Sequence, residues 1–173
     1  MKYLSFLFIL ALSLFAGFGC GSDDNNDPYE GIPTGEIVEL DLRDTALSGS
    51  GSSGGRFAVG QKWWKHQNGQ FRYNGTCSEE TKDISLSDIY YGFYSSNQFF
   101  IKEGLNGDPE LGGSWQWEDT NTKEALLINY SDLRGLELKL RALNNDKLVY
   151  LSEVAVGECT TLIWEELGEP QTE

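Results

Sequence analysis

The sequence predicts an all-β domain, an antiparallel up-and-down β-barrel of about eight to ten strands. Three observations carry this. Leu136, Leu138, Leu140 and Ala142 alternate with Glu137, Lys139 and Arg141, the period-2 pattern of a strand with one apolar face. Trp115 and Trp117 sit two apart, and Leu126, Ile128 and Tyr130 repeat that spacing. Short segments rich in Gly, Asn, Asp and Ser separate these runs and supply the turns. A meander with one apolar face must close on itself or pack on a second layer, and closure encloses an interior.

The chain has 173 residues, not all of which join the barrel. Lys2 precedes an apolar run from Leu4 to Phe18, then Gly19 and Cys20. That is the layout of a secretory signal over residues 1–19, too short to span a bilayer comfortably, with an uncleaved membrane anchor as the alternative. The segment Ala16-Gly17-Phe18-Gly19-Cys20 resembles the lipobox of bacterial lipoproteins. The resemblance implies that Cys20 is acylated and that this acyl anchor holds the protein at the outer membrane. Residues 20–35 read as an acidic flexible tether, since Gly21-Ser22-Asp23-Asp24-Asn25-Asn26-Asp27-Pro28 has nothing to bury. Its acidic run resembles the surface-export signals of Bacteroidetes lipoproteins. Asp23, Asn25 and Asp27 copy the start of a calcium loop, but Pro28 and Thr34 stand where that loop needs Gly and Glu. No metal site is expected.

Residues 36–59 read as a first or edge strand, with Val38, Leu40 and Leu42 on one side, followed by a Gly/Ser linker over 48–55. The linker is Gly-rich, but no Lys-Ser/Thr pair follows it, so it does not cradle phosphate.

The barrel is expected over residues 60–167, with 168–173 as a C-terminal tail. Asn68-Gly69, between Trp63-Trp64 and Phe71-Tyr73, is the strongest hairpin signal in the chain. A second hairpin turns at Ser95–Gln98. Further turns fall at Asp119–Lys123, Ser131–Gly135 and Asn144–Asp146, and the last strand at about Cys159–Glu166. Ser131-Asp132 could cap a helix over the leucines that follow. Gly135 and the placement of Leu138 favour a strand there.

The formal net charge of −14 opposes a nucleic-acid partner and an anionic membrane surface, so attachment falls to the lipid. With Cys20 acylated, Cys77 and Cys159 remain. In an exported domain they form either one bridge, worth about 4–5 kcal/mol in the chain-entropy model, or two separate thiols.

Gly112-Gly113-Ser114 before the Trp115 strand, the Leu-rich strand ending in Leu143-Asn144-Asn145-Asp146-Lys147-Leu148-Val149-Tyr150, and the closing Thr161-Leu162-Ile163-Trp164-Glu165 resemble the lipocalin-like lipoproteins of Bacteroidetes. Gly60-Gln61-Lys62-Trp63 resembles their first barrel strand. The resemblance covers roughly residues 60–167. It implies a lipocalin-like barrel that binds a small, largely apolar or amphipathic molecule, without a cofactor.

The candidate ligand-binding residues are Trp63, Trp64, Tyr91, Phe93, Trp115, Trp117, Tyr130 and Trp164, because Trp and Tyr pair a large ring with one polar handle. A barrel of about eight strands can equally be filled by such side chains. His66, the only histidine, reads as an exposed hairpin residue. Glu165-Glu166 reads as a solvated face, because strand neighbours point to opposite sides. No convergent acid, base and nucleophile set is visible, so no catalysis is expected. The alternative to a ligand carrier is a cell-surface recognition module for glycan or a protein partner. That reading would use exposed aromatics such as an outward row of Tyr90 and Tyr94.

Overall fold

A computed structural model describes residues 27, 29–50, 60–74, 81–130, 133–156 and 159–172. Nine strands follow one another: β1 (Lys62–Asn74), β2 (Thr81–Asp83), β3 (Ile89–Phe93), β4 (Gln98–Glu103), β5 (Glu110–Trp117), β6 (Ala125–Tyr130), β7 (Leu133–Leu143), β8 (Lys147–Val156) and β9 (Cys159–Thr172). From β3 to β9 each strand pairs antiparallel with the next, and both β3 and β9 pair with β1. Eight strands thus close an all-β barrel, and closure leaves no long free edge.

Alternation sets which side chains face inward. Leu126 opposes Leu138 and Ile128 opposes Leu136, so the apolar faces of β6 and β7 meet inside. β7 is a strand, not a helix. The turns hold too. Asn97 N–H bonds the Tyr94 carbonyl at 2.9 Å with φ 64° at Asn97, a conformation asparagine tolerates well.

Among the described residues the wall shows a gap. β1 carries β3 on its first part, Trp63 to Lys65, and the short β2 on its later part, Gln70 to Arg72. Between them, residues 66–68 have no strand on that edge.

Asn68-Gly69 is not a hairpin. It lies within the 13-residue β1, beside an irregular register between His66 and Asn68. Neither residue takes the positive φ that a two-residue turn of that kind requires. Gly69 serves a close approach instead. A Cβ there would come within 2.8 Å of the Trp164 carbonyl oxygen and 3.2 Å of Glu165 Cγ.

Residues 36–42 are not a barrel strand. Gly35 N–H bonds the Arg141 carbonyl and Val38 N–H bonds the Leu143 carbonyl, so this short stretch lies along the end of β7. β7 outruns β6 there, because their register stops at Ala125 opposite Lys139. The chain then coils through a 3-10 turn, Leu40–Leu42, into helix α1, Arg43–Ser48. No helix was expected here. The alternation of Val38, Leu40 and Leu42 misleads, since Leu40 and Leu42 are exposed. What α1 buries is Ala46 and Leu47, which stop one end of the barrel.

Upstream, residues 29–38 form a strap across the outer wall. Tyr29 bonds Glu153 on β8, Arg72 on β1 donates to the Glu30 carbonyl, and Ile32 packs with Leu151, Leu162 and Trp164. No free tail begins at residue 168, since Gly168 pairs with both Lys147 and Lys65 and β9 runs on to Thr172. Cys20 and Cys77 lie outside the described residues. Cys159 is disulfide-bonded. Among the described residues no helix is long and apolar enough to cross a membrane.

Candidate ligand site in the barrel

The interior divides into two halves. The half next to α1 is solid. Trp64, Phe93, Trp115, Trp117, Leu126, Leu143, Leu148 and Leu167 fill it together with Ala46 and Leu47. Trp115 and Trp117 meet edge-on at 5.8 Å, and Phe93 meets Trp115 edge-on at 6.1 Å. The indole N–H groups are spent inside the protein. Trp64 donates to the Leu47 carbonyl at 2.8 Å, Trp115 to the Tyr94 carbonyl at 2.9 Å, and Trp117 to Asp44 Oδ1 at 2.6 Å. Lys62 Nζ donates to the Ala46 carbonyl at 2.8 Å, a further hold on α1. All three tryptophans act as core, and Trp64 and Trp117 also clasp the helix that stops the barrel.

The other half is the mouth, at the ends of β1, β4, β6 and β8. Here the inward residues are only partly covered. Ile89, Ile101, Tyr130 and Leu136 pack against the core yet stay half-buried. Phe71 and Ile163 oppose each other on β1 and β9 and are half-buried too. The segments 75–80, 131–132 and 157–158, which join strands at this end, lie outside the described residues.

Between the halves sits a polar floor. Glu165 on β9 points inward, two residues from Leu167 and opposite Gly69. Its side chain is 16% exposed. Tyr91 Oη lies 3.5 Å from Glu165 Oε2, and the Tyr150 hydroxyl also donates to the carboxylate. Burial pushes the carboxyl up to about 7, against the downward pull of the Tyr150 and Tyr91 hydrogen bonds. Burial and the neighbouring Glu165 hold both phenols well above their ordinary value. Phe99 stacks on Tyr91 with ring centres 5.8 Å apart and planes 12° apart.

His66 completes the floor from β1. It is not an exposed hairpin residue. Its side chain is 1% exposed, and Nε2 lies 3.5 Å from Glu165 Oε2 in a geometry that makes no hydrogen bond. Burial lowers its pKa to about 4, so the ring is neutral near pH 7. The reading of Glu165 as solvated fails for a related reason. Neighbours do alternate, so Glu166 faces out to pair with Lys147 at 2.6 Å, and Glu165 must therefore face in.

Of the eight aromatic candidates, six turn inward: Trp64, Tyr91, Phe93, Trp115, Trp117 and Tyr130. Trp63 and Trp164 turn outward. Trp63 clusters with Tyr90, Tyr94 and Phe100 on the outer face, and Trp164 lies under Ile32 of the strap. Adjacent residues on one strand cannot both face in, and Trp64 holds the inward place beside Trp63. Tyr90 and Tyr94 do point outward, but at 5% and 2% exposure they present no open ring.

Two clefts open on the outer wall rather than in the barrel. One, of about 430 Å³, lies at the gap in the β1 edge and is lined by Lys65, His66, Gln67 and residues 85–88. The other, of about 510 Å³, lies between the strap and the outer faces of β6 to β8, with Tyr29, Arg43, Arg141 and Glu153 among its walls. Among the described residues no group of three or more His, Cys, Asp and Glu could hold a metal ion.

Comparison with protein-family models finds none that matches the chain, and comparison with curated proteins finds no significant match.

Proposed function

We propose that this chain is a lipid-anchored, non-catalytic lipocalin-like binding protein that takes a small apolar or amphipathic molecule into the mouth half of its barrel. The observation that carries the reading is the contrast between the two halves. One is packed solid, whereas the other is lined by half-buried apolar residues above a polar floor. An apolar wall with a few convergent polar groups is the usual make-up of a small-molecule site. The ligand enters between Ile101, Tyr130 and Leu136, and its polar end meets Glu165, Tyr91 and Tyr150. Cys20 carries the acyl anchor at the outer membrane, and the acidic tether gives the barrel reach.

The test is uptake of diphenylhexatriene, a neutral apolar dye that brightens on leaving water. Its emission should rise on titration with the purified protein and fall back in Ile101→Glu, which puts a charge on the mouth wall. Unchanged emission with the unmodified protein would sink the proposal. The recognition-module alternative lacks a comparable observation, because its outward tyrosines are covered.

A further inference from the structure

We propose that the barrel floor is a receptor for a primary ammonium group, so that the ligand is an amphipathic amine, its apolar body in the mouth and its –NH3+ between Glu165 and His66. The inference rests on the mouth half being a ligand chamber, and it names the chemistry of the head group.

Four observations lead there. Glu165 is a carboxyl group facing the barrel interior, and among the described residues no Lys or Arg pairs with it. A buried carboxylate without a cation is costly, and a ligand cation relieves that cost. His66 Nε2 is buried, has no hydrogen-bond partner among the described residues and lies 3.5 Å from Glu165 Oε2, close enough for one nitrogen to reach both. With its proton on Nδ1, the neutral ring offers Nε2 as an acceptor. A primary ammonium has three donors and no acceptor, which matches a carboxylate plus an imidazole lone pair. Finally, the rings of Tyr91, Phe99 and Tyr150 surround the floor, and aromatic faces attract a cation. A carboxylate ligand would face Glu165 with like charge, and an alcohol would satisfy one acceptor while leaving the charge unpaired.

The titratable groups facing Glu165 are His66 on β1, Tyr91 on β3 and Tyr150 on β8, with Tyr130 on β6 and Glu110 on β5 nearer the rim. His66 is already neutral well below pH 7, and the phenols stay neutral well above it. Ammonium binding therefore follows ionisation of Glu165 and tightens as pH rises through neutrality.

The experiment is calorimetry on the purified full chain with hexylammonium, hexanol, hexanoate and hexyltrimethylammonium as probes. Hexylammonium should bind about tenfold or more tightly than hexanol, the scale of a hydrogen bond to a charged group. Hexanoate should bind more weakly still, and the trimethyl compound, which has no N–H, should lose most of the gain. Glu165→Gln, which keeps the side chain's shape, should erase the preference for hexylammonium over hexanol. A cooperative urea melt shows that the variant is folded. Should it fail to fold, the unmodified protein decides through its pH profile, with hexylammonium affinity rising from about pH 6 to pH 8 and hexanol affinity flat. Equal affinity for all four probes overturns the ammonium assignment and leaves the chamber standing. No binding of any probe overturns both.

Discussion

His66 and Glu165 face each other across the seam between β1 and β9 at 3.5 Å, and the same burial moves their pKa values in opposite directions. Glu165 rises from 4.5 to about 7, so the folded state holds a proton that the unfolded state has released. Its contribution to stability is therefore lost as pH climbs from about 4.5 to about 7, by about 3 kcal/mol. His66 falls from 6.5 to about 4, so the unfolded state holds the extra proton. Its contribution is gained as pH climbs from about 4 to about 6.5, by a similar amount of about 3 kcal/mol. In the unmodified protein the two slopes offset each other. Relative to it, Glu165→Gln should gain stability with rising pH in this window, and His66→Asn should lose it. Urea melts at several pH values check this, and parallel curves for all three proteins would contradict it.

Gly69→Ala should destabilise the barrel by about 1–3 kcal/mol, the cost of overpacking a filled site. The new methyl would lie 2.8 Å from the Trp164 carbonyl oxygen, 3.2 Å from Glu165 Cγ and 3.3 Å from Ile84 Cβ, so the backbone of β9 or these side chains must give. The variant should also change the Glu165 titration, read by carbon-13 NMR of its carboxyl. A neutral effect on both stability and titration would show that the close approach has slack.

The clasp between Trp64 and α1 makes a separate prediction. Trp64→Phe keeps most of the ring but leaves the Leu47 carbonyl without its 2.8 Å donor, at a cost of about 1–3 kcal/mol. Leu47→Ala opens a cavity in the stopper and should cost about 2–5 kcal/mol. The two sites touch, so the double variant should cost less than the sum, measured as a double-mutant cycle in urea.

At the other end of the chain, Cys20→Ser should move the protein from the membrane fraction to the soluble one. Persistence in the membrane would contradict acylation at Cys20. Mass spectrometry of the unreduced protein should find Cys159 joined to Cys77, the one other cysteine left once Cys20 is acylated. Reduction should then cost about 2–5 kcal/mol of stability.

Strand periodicity made the barrel legible. β5 and β7 bury one face and expose the other, so their alternation survives into the structure, whereas β8 is buried on both faces from Leu148 to Ser152, where Ile32 of the strap covers Leu151. Asn68-Gly69 misled because a turn dipeptide also suits a close backbone approach, and only the partner strand distinguishes the two uses. The floor was half legible. Tyr91 stood out as an inward aromatic. Glu165 did not, because a carboxylate beside another carboxylate resembles a surface until the register of β9 is known. The available signal was parity: Leu167 inside requires Glu165 inside as well. α1 was hidden by its brevity, since six residues hold too few turns to show a helical period.

The strap has a consequence for how the molecule stands. Its first contacts, Tyr29 with Glu153 and Glu30 with Arg72, lie level with Leu162 near the mouth rim, and from there it descends towards the stopped end. Tyr29 lies nine residue steps from Cys20, a reach of roughly 30 Å at full extension. Were Cys20 acylated, as proposed, the barrel would be tied to the bilayer at its rim, with the stopped end of the strap on the far side. A membrane-dissolved amphiphile would then pass between bilayer and chamber over a few molecular lengths, and the tether would set the width of that crossing.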